Sequence, residues 1–260
     1  MSKKFKGKTC VYCVNNRSDT GDHIFARKFF LPNKEQNFPQ VPACTDCNNK
    51  KSKLEHYLTS VLPFGGRHED ARLNLENVPN RLDKNANLHR SLAQGHRTVW
   101  VKEKERLYVP IMALPIKRGS IERLFEFIVK GLVWYHWQSY LTVEHFVEVT
   151  ALLEGEEKLF KWYFSNVSPH LKVSANLGNG TFLYEGFRGI DSPQTTAWRF
   201  SLYGGLKLAG GPQERRQGFS QLDAYTGPTS VKNAALPLIA PAPSGTTFLF
   251  RPALQATLDH

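Results

Sequence analysis

The sequence lacks any apolar run long enough to cross a bilayer. The nearest candidate, Ile121 to Leu141, is broken by Glu122, Arg123, Glu126, Lys130, His136 and Gln138, which excludes a membrane span as a reading. An apolar signal core is also missing, because Lys3, Lys4, Lys6 and Lys8 lead into Cys10 to Asn16 and not into an apolar stretch. The expectation is a cytoplasmic protein with no membrane partner. Acidic residues are in short supply: 23 Asp and Glu face 34 Lys and Arg, for a net charge of +11 and a sequence pI of about 9.5. A basic excess of this size points to a polyanionic partner. Nucleic acid leads, with membrane surface and acidic protein as competitors, and no basic amphipathic helix favours the membrane. Internal repeats are absent.

Cysteine is missing from everything after residue 47. All four, Cys10, Cys13, Cys44 and Cys47, lie in the first part of the chain as two CxxC pairs. A basic protein without a signal has no use for disulfides. Two CxxC hooks brought together place four thiolates around one tetrahedral Zn²⁺. The alternative is redox chemistry, but two such pairs in one redox site are unusual, and neither opens a helix in a βαβ setting.

What is present is ample material for a core: 41% hydrophobic residues, including 17 Phe, 9 Tyr and 5 Trp. Lys8 to Val14 reads as a knuckle carrying the first hook. Gly21 to Ala26 reads as a turn followed by a short strand. Leu31 to Pro42 reads as a loop, with Pro32, Pro39 and Pro42 opposing a regular element. A helix is expected from Thr45 or Asp46, good capping residues. Leu54, Tyr57, Leu58 and Val61 repeat along its buried face, and Pro63 and Gly65-Gly66 end it. A unit this small has little apolar core, so zinc binding would supply folding free energy.

Asp22 and His23 follow the first hook, and Asn48 follows the last cysteine inside the first turn of the expected helix. An Asp carboxylate and an Asn carbonyl are hard oxygen ligands suited to Mg²⁺ or Mn²⁺. A histidine beside them is a base suited to neutral pH. Patterning alone leaves the plain readings open. Neighbours on a strand point to opposite faces, His23 can equally be a buried core histidine, and Asn48 can be a cap.

The ordered set Cys10-x-x-Cys13, Asp22-His23-Ile24, Cys44-x-x-Cys47-Asn48-x-x-Lys51-Ser52 resembles the HNH endonucleases of the four-cysteine zinc subgroup, which have the ββα-metal fold. The resemblance covers roughly residues 8–58. It implies a metal-dependent endonuclease that hydrolyses phosphodiester bonds, with DNA as the favoured substrate. It implies His23 as general base, Asp22 and Asn48 as ligands of the catalytic divalent ion, and Lys51 as a phosphate contact. Arg27 and Lys50 join Lys51 as candidate substrate-binding residues because they lie near the proposed ligands. A bacterial phage-defence or mobile-element setting is suggested by resemblance alone. The sequence departs from the pattern twice. The loop Asn that orients the base histidine in many members falls on Pro39, with Asn37 and Gln40 nearby as substitutes. The final metal-binding His falls on Ser52, which leaves His56, two turns beyond Asn48, as a candidate ligand.

The fold class expected is α+β: a zinc-stapled ββα-metal module over residues 1–78, then an α+β domain over 79–260. Within the second part, residues 79–170 read as helical and 171–260 as β-rich. Helices are expected at 81–93, 121–140, 142–153 and 158–164, with an apolar linker between Pro110 and Pro115. Strands are expected at 181–187, 196–203, 205–208 and 246–250. A polar excursion at 213–221 and a proline-rich loop at 237–245 separate them. Phe29-Phe30-Leu31 reads as core or interdomain contact. The second region can bind substrate, recruit a protein partner or form a homodimer. The main rival to a nuclease is a non-catalytic zinc module that binds nucleic acid or recruits a partner.

Overall fold

The computed structural model describes residues 4–34, 37–104, 107–117, 119–153, 155–209, 219–232 and 247–250. The proline-rich stretch 237–245 lies outside the described residues, as does the polar excursion up to residue 218. Among the described residues no helix is long and apolar enough to cross a membrane.

The N-terminal region contains two short strands and a helix. β1 (Thr20–His23) pairs antiparallel with β2 (Gln40–Ala43), and α1 (Thr45–Val61) follows at once. The strand expected after Gly21-Asp22 in fact includes those residues. The expected loop through Pro42 ends as β2. Proline is tolerated there because the sheet has two strands and each is an edge. Pro42 needs no donor, and its carbonyl accepts from the Val11 N–H at 2.9 Å. α1 begins at Thr45 as expected. Its first turn is capped from across the hairpin: Asp19 Oδ2 accepts from the Thr45 N–H at 2.9 Å and from Thr45 Oγ1 at 2.8 Å. Tyr57, Leu58 and Val61 are buried, and a 3-10 turn at Leu62–Gly65 closes the helix.

Three short helices come next: α2 (Glu69–Leu75), α3 (Val78–Asp83) and α4 (Ala86–Gly95). The single helix expected at 81–93 is split because the Asn85 side chain accepts from the Leu88 N–H and starts a new N-terminus. β3 (Arg97–Lys104) and β4 (Leu107–Pro115) form a hairpin, and the apolar linker expected between Pro110 and Pro115 is the second half of β4. They continue through β11 (Thr247–Phe250) to β9 (Leu208–Ala209) as a four-stranded sheet. Among the described residues β11 pairs with Met112–Pro115 of β4.

The larger sheet is antiparallel, in the order β5 (His145–Leu153), β10 (Ser220–Pro228), β8 (Thr196–Leu202), β7 (Phe182–Arg188), β6 (Lys172–Leu177). β5 replaces the helix expected at 142–153. Val147, Val149 and Ala151 alternate toward the core, a period of two that only a strand can place on one face. The region 79–170 is therefore mixed and not helical throughout. Helix α5 (Ser120–Trp137) packs on one face of the sheet through Phe125, which meets Phe182 and Phe200. Helix α6 (Lys158–Asn166) packs through Phe160, which meets Phe187.

The apolar core is continuous across residue 78. Phe25 lies 4.7 Å from Phe182, Tyr203 donates its hydroxyl to the Phe29 carbonyl at 2.9 Å, and α5 touches both α1 and β2. Phe29 and Phe30 are buried in this core as expected. The close passage of α5 over Ile24, just past β1, depends on Gly131, where an added Cβ would stand 3.0 Å from Ile24 Cγ1.

Candidate metal centre and the adjoining His23 site

The two hooks converge. The first is a tight turn in which the Val14 N–H donates to the Cys10 carbonyl and the Cys10 N–H to the Asn16 carbonyl. The turn forces Val14 to φ 63°, the left-handed region that a β-branched side chain resists. In the second hook, Cys44 is the N-cap of α1 and Cys47 lies in its first turn. The four Sγ atoms stand within 4.8 Å of one another, and Cys13 Sγ and Cys44 Sγ are 3.9 Å apart. Ligands ~2.3 Å from a tetrahedral zinc stand about 3.8 Å apart, so the cluster has the chemistry and the size to chelate one such ion. All four cysteines are free of disulfides, and three are buried. Burial pushes the Cys10 and Cys47 thiols up. At Cys13 burial acts upward as well, but the backbone N–H groups of Asn16 and Asn15 outweigh it and bring the thiol to about 7. The chain thus carries a buried four-cysteine cluster, able to chelate a metal ion, that joins the first hook to the start of α1.

Beside this site, β1 delivers Asp22 and His23 to different neighbours, as strand alternation requires. The nearly buried Asp22 carboxylate accepts from the Tyr12 hydroxyl at 2.6 Å and lies 3.1 Å from Lys51 Nζ. Lys51 also donates to the His23 carbonyl at 2.6 Å and to Glu55 Oε1 at 2.5 Å. Its side chain is fully buried. Lys51 therefore does not meet phosphate as expected: it is an internal cation that ties α1 to β1. Burial pushes the Glu55 carboxyl up, and Lys51 opposes that rise. Burial and the Asp22 charge hold the Tyr12 hydroxyl well above its usual range, so it remains a donor.

The His23 ring faces its cross-strand partner Gln40. Gln40 Nε2 is 3.0 Å and the Arg27 guanidinium 2.7 Å from His23 Nε2. Both groups are donors, so they hold Nε2 as the acceptor and place the ring proton on Nδ1. Nδ1 is buried and makes no hydrogen bond of good geometry. Burial lowers the imidazole pKa below its usual range, with Arg27 acting the same way, while the Phe38 backbone pulls upward. The result is a neutral imidazole. Gln40, one residue beyond the Pro39 slot, is the side chain that contacts the ring, while the Pro39 carbonyl accepts from the Ile24 N–H at 3.0 Å.

Asn48 is half-buried, one turn ahead of Lys51 on the same face of α1. Among the described residues its side chain makes no hydrogen bond to Asp22 or His23. Among the described residues neither Asp22 Oδ1 nor the Asn48 amide oxygen carries a hydrogen bond. Asp22 and Glu55 together exceed Lys51 by one negative charge when both are ionised. His56 is poorly placed as a metal ligand. Burial and the nearby charges of Lys28 and Arg81 lower its pKa, and two cations beside it oppose a divalent ion. Arg27 and Lys50 are exposed. Arg199 is buried in a two-pronged pair with Asp223 at 2.9 and 2.5 Å.

Tyr12 and Glu55 escaped the sequence reading. Glu55 had a usable signal, its i,i+4 spacing from Lys51. Tyr12 had none beyond its place inside the first hook. Comparison of the chain with protein-family models, with curated proteins and with solved structures finds no match.

Proposed function

We propose that this chain is a zinc-stapled HNH-type endonuclease that hydrolyses phosphodiester bonds in nucleic acid, with DNA favoured. The observation that carries the reading is the contact of His23 with Arg27. A neutral imidazole presents Nε2 as an acceptor, and an exposed guanidinium stands 2.7 Å away. A phosphodiester that draws Arg27 to its own oxygens frees Nε2 to take the proton from an attacking water. Arg27 keeps the imidazole unprotonated before substrate arrives and neutralises the phosphate afterwards. Gln40 limits rotation of the ring. Asp22 and Asn48 are the residues that would hold a Mg²⁺ or Mn²⁺ ion, which when bound polarises the phosphate and stabilises the leaving oxygen. Tyr12 and Lys51 fix the carboxylate through Oδ2 and leave Oδ1 available. The exposed Lys50 extends the basic surface along α1.

The rival reading, a non-catalytic zinc module that binds nucleic acid, has no use for a histidine held neutral beside a carboxylate. The test is cleavage of supercoiled plasmid and of single-stranded DNA and RNA by the zinc-loaded protein, with Mg²⁺, Mn²⁺ or a chelator selective for hard cations. Cleavage that needs an added divalent ion and is lost in Asp22→Asn and Asn48→Ala supports the proposal. Equal cleavage by these variants, or none by the wild type under any condition, contradicts it.

A further inference from the structure

On the far side of the large sheet, α6 and strands β5, β7, β8 and β10 enclose a cavity of about 610 Å³. This is within the range of pockets that hold a small organic molecule. Its walls are aromatic. Phe146, Phe160, Tyr163 and Phe187 line it, with Phe160 and Phe187 centroids 5.5 Å apart. Apolar side chains at its mouth are left in water: Ile190 is 75% exposed and Leu159 48%.

Among the described residues three charged side chains line this apolar space: Arg188, Lys232 and Glu148. Lys232 Nζ is 3.9 Å from Glu148 Oε2, the outer limit of an ion pair. Arg188 Nε is buried with no hydrogen-bond partner, and no ion pair engages its guanidinium among the described residues. Two cations against one carboxylate leave one positive charge. A buried guanidinium N–H without an acceptor costs free energy that an incoming anion would recover. We infer that this cavity binds a small organic anion, with a flat apolar body seated against Phe160, Phe187 and Phe146 and its acidic group on Arg188. Carboxylates and phosphate esters share this chemistry. The site lies apart from His23 and does not depend on the nuclease reading.

The experiment is a titration of the zinc-loaded full chain with two fluorescent probes, anionic anilinonaphthalene sulfonate and neutral phenylnaphthylamine. The wild type is expected to bind the sulfonate at one saturable site about tenfold more tightly than the neutral probe, the size of one charge-assisted hydrogen bond. Arg188→Met, checked for an unchanged melting curve, should erase that preference and leave neutral binding intact. Ala197→Leu, which fills the cavity from β8, should weaken both probes. Naphthoate and naphthyl phosphate compete as separate arms, and the one that displaces the sulfonate at lower concentration identifies the acidic group. The inference is overturned if Arg188→Met keeps the anion preference, if Ala197→Leu binds both probes as the wild type does, or if neither competitor displaces the sulfonate.

Discussion

The four-cysteine cluster and the Asp22–His23–Lys51 site lie side by side, pinned by the same hairpin and helix, yet they are built on opposite principles. The cysteine site uses four identical soft ligands on two short hooks, and bringing the hooks together completes it. Its partners across the gap are interchangeable, so no sidedness has to be resolved. The neighbouring site mixes a carboxylate, an imidazole, an amide and an ammonium. What each does depends on which side of β1 it leaves and how far its side chain reaches. Asp22 turns toward α1, where Lys51 meets it at 3.1 Å. His23 turns toward Gln40 and Arg27. Ligand type alone defines the first site, whereas orientation defines the second.

The sharpest way to break this comparison is to remove a ligand from the simple site. Cys44→Ser should lose zinc, and with it most of the ~10 kcal/mol or more that structural zinc supplies. Metal analysis should read less than one zinc per chain, and amide exchange should speed up across β1, β2 and the first turns of α1. Full zinc content with unchanged protection would mean that the cluster is not a metal site.

A smaller effect is expected where charge, and not metal, ties the same elements together. Lys51→Met leaves Asp22 and Glu55 without their shared cation and should cost about 3 kcal/mol in a denaturant titration, because unpairing a buried charge is expensive. Adding Glu55→Leu should restore part of the loss. A neutral Lys51→Met would show that the ammonium contributes nothing to holding α1 on β1.

The smallest effect should be favourable. Val14→Gly relieves a β-branched residue at φ 63° and should stabilise the zinc-loaded protein by about 1 kcal/mol, seen as a raised melting temperature. A lowered melting temperature would show that the Val14 side chain contributes more by packing than its backbone loses.

Legibility from the sequence followed the same divide. The cysteine spacing, the start of α1 at Thr45, the buried stripe of Leu58 and Val61 and the aromatic core at Phe29-Phe30 were all readable from residue type and period. The strand β2 was hidden by Pro42, because the sequence does not reveal that the hairpin has two edges. β5 was hidden by Thr142 and Glu144-His145, which resemble a helix start, although Val147, Val149 and Ala151 carry the strand period. At the candidate site, the identities of Asp22, His23 and Asn48 were legible but their directions were not. Lys51 looked like a surface cation because a lysine stem long enough to reach phosphate is also long enough to turn inward. Gln40 became an orienting residue through a one-residue offset from Pro39 that only the hairpin register reveals.

Under the proposed function the two sites are separable: the cysteine cluster would hold the fold and His23 would serve the chemistry. The most direct test measures zinc per chain and plasmid nicking rate on the same preparations of wild type and His23→Ala. The account predicts one zinc in each and a fall of about a hundredfold or more in nicking by His23→Ala, the scale of a lost general base. Equal nicking by a variant that retains its zinc would contradict it.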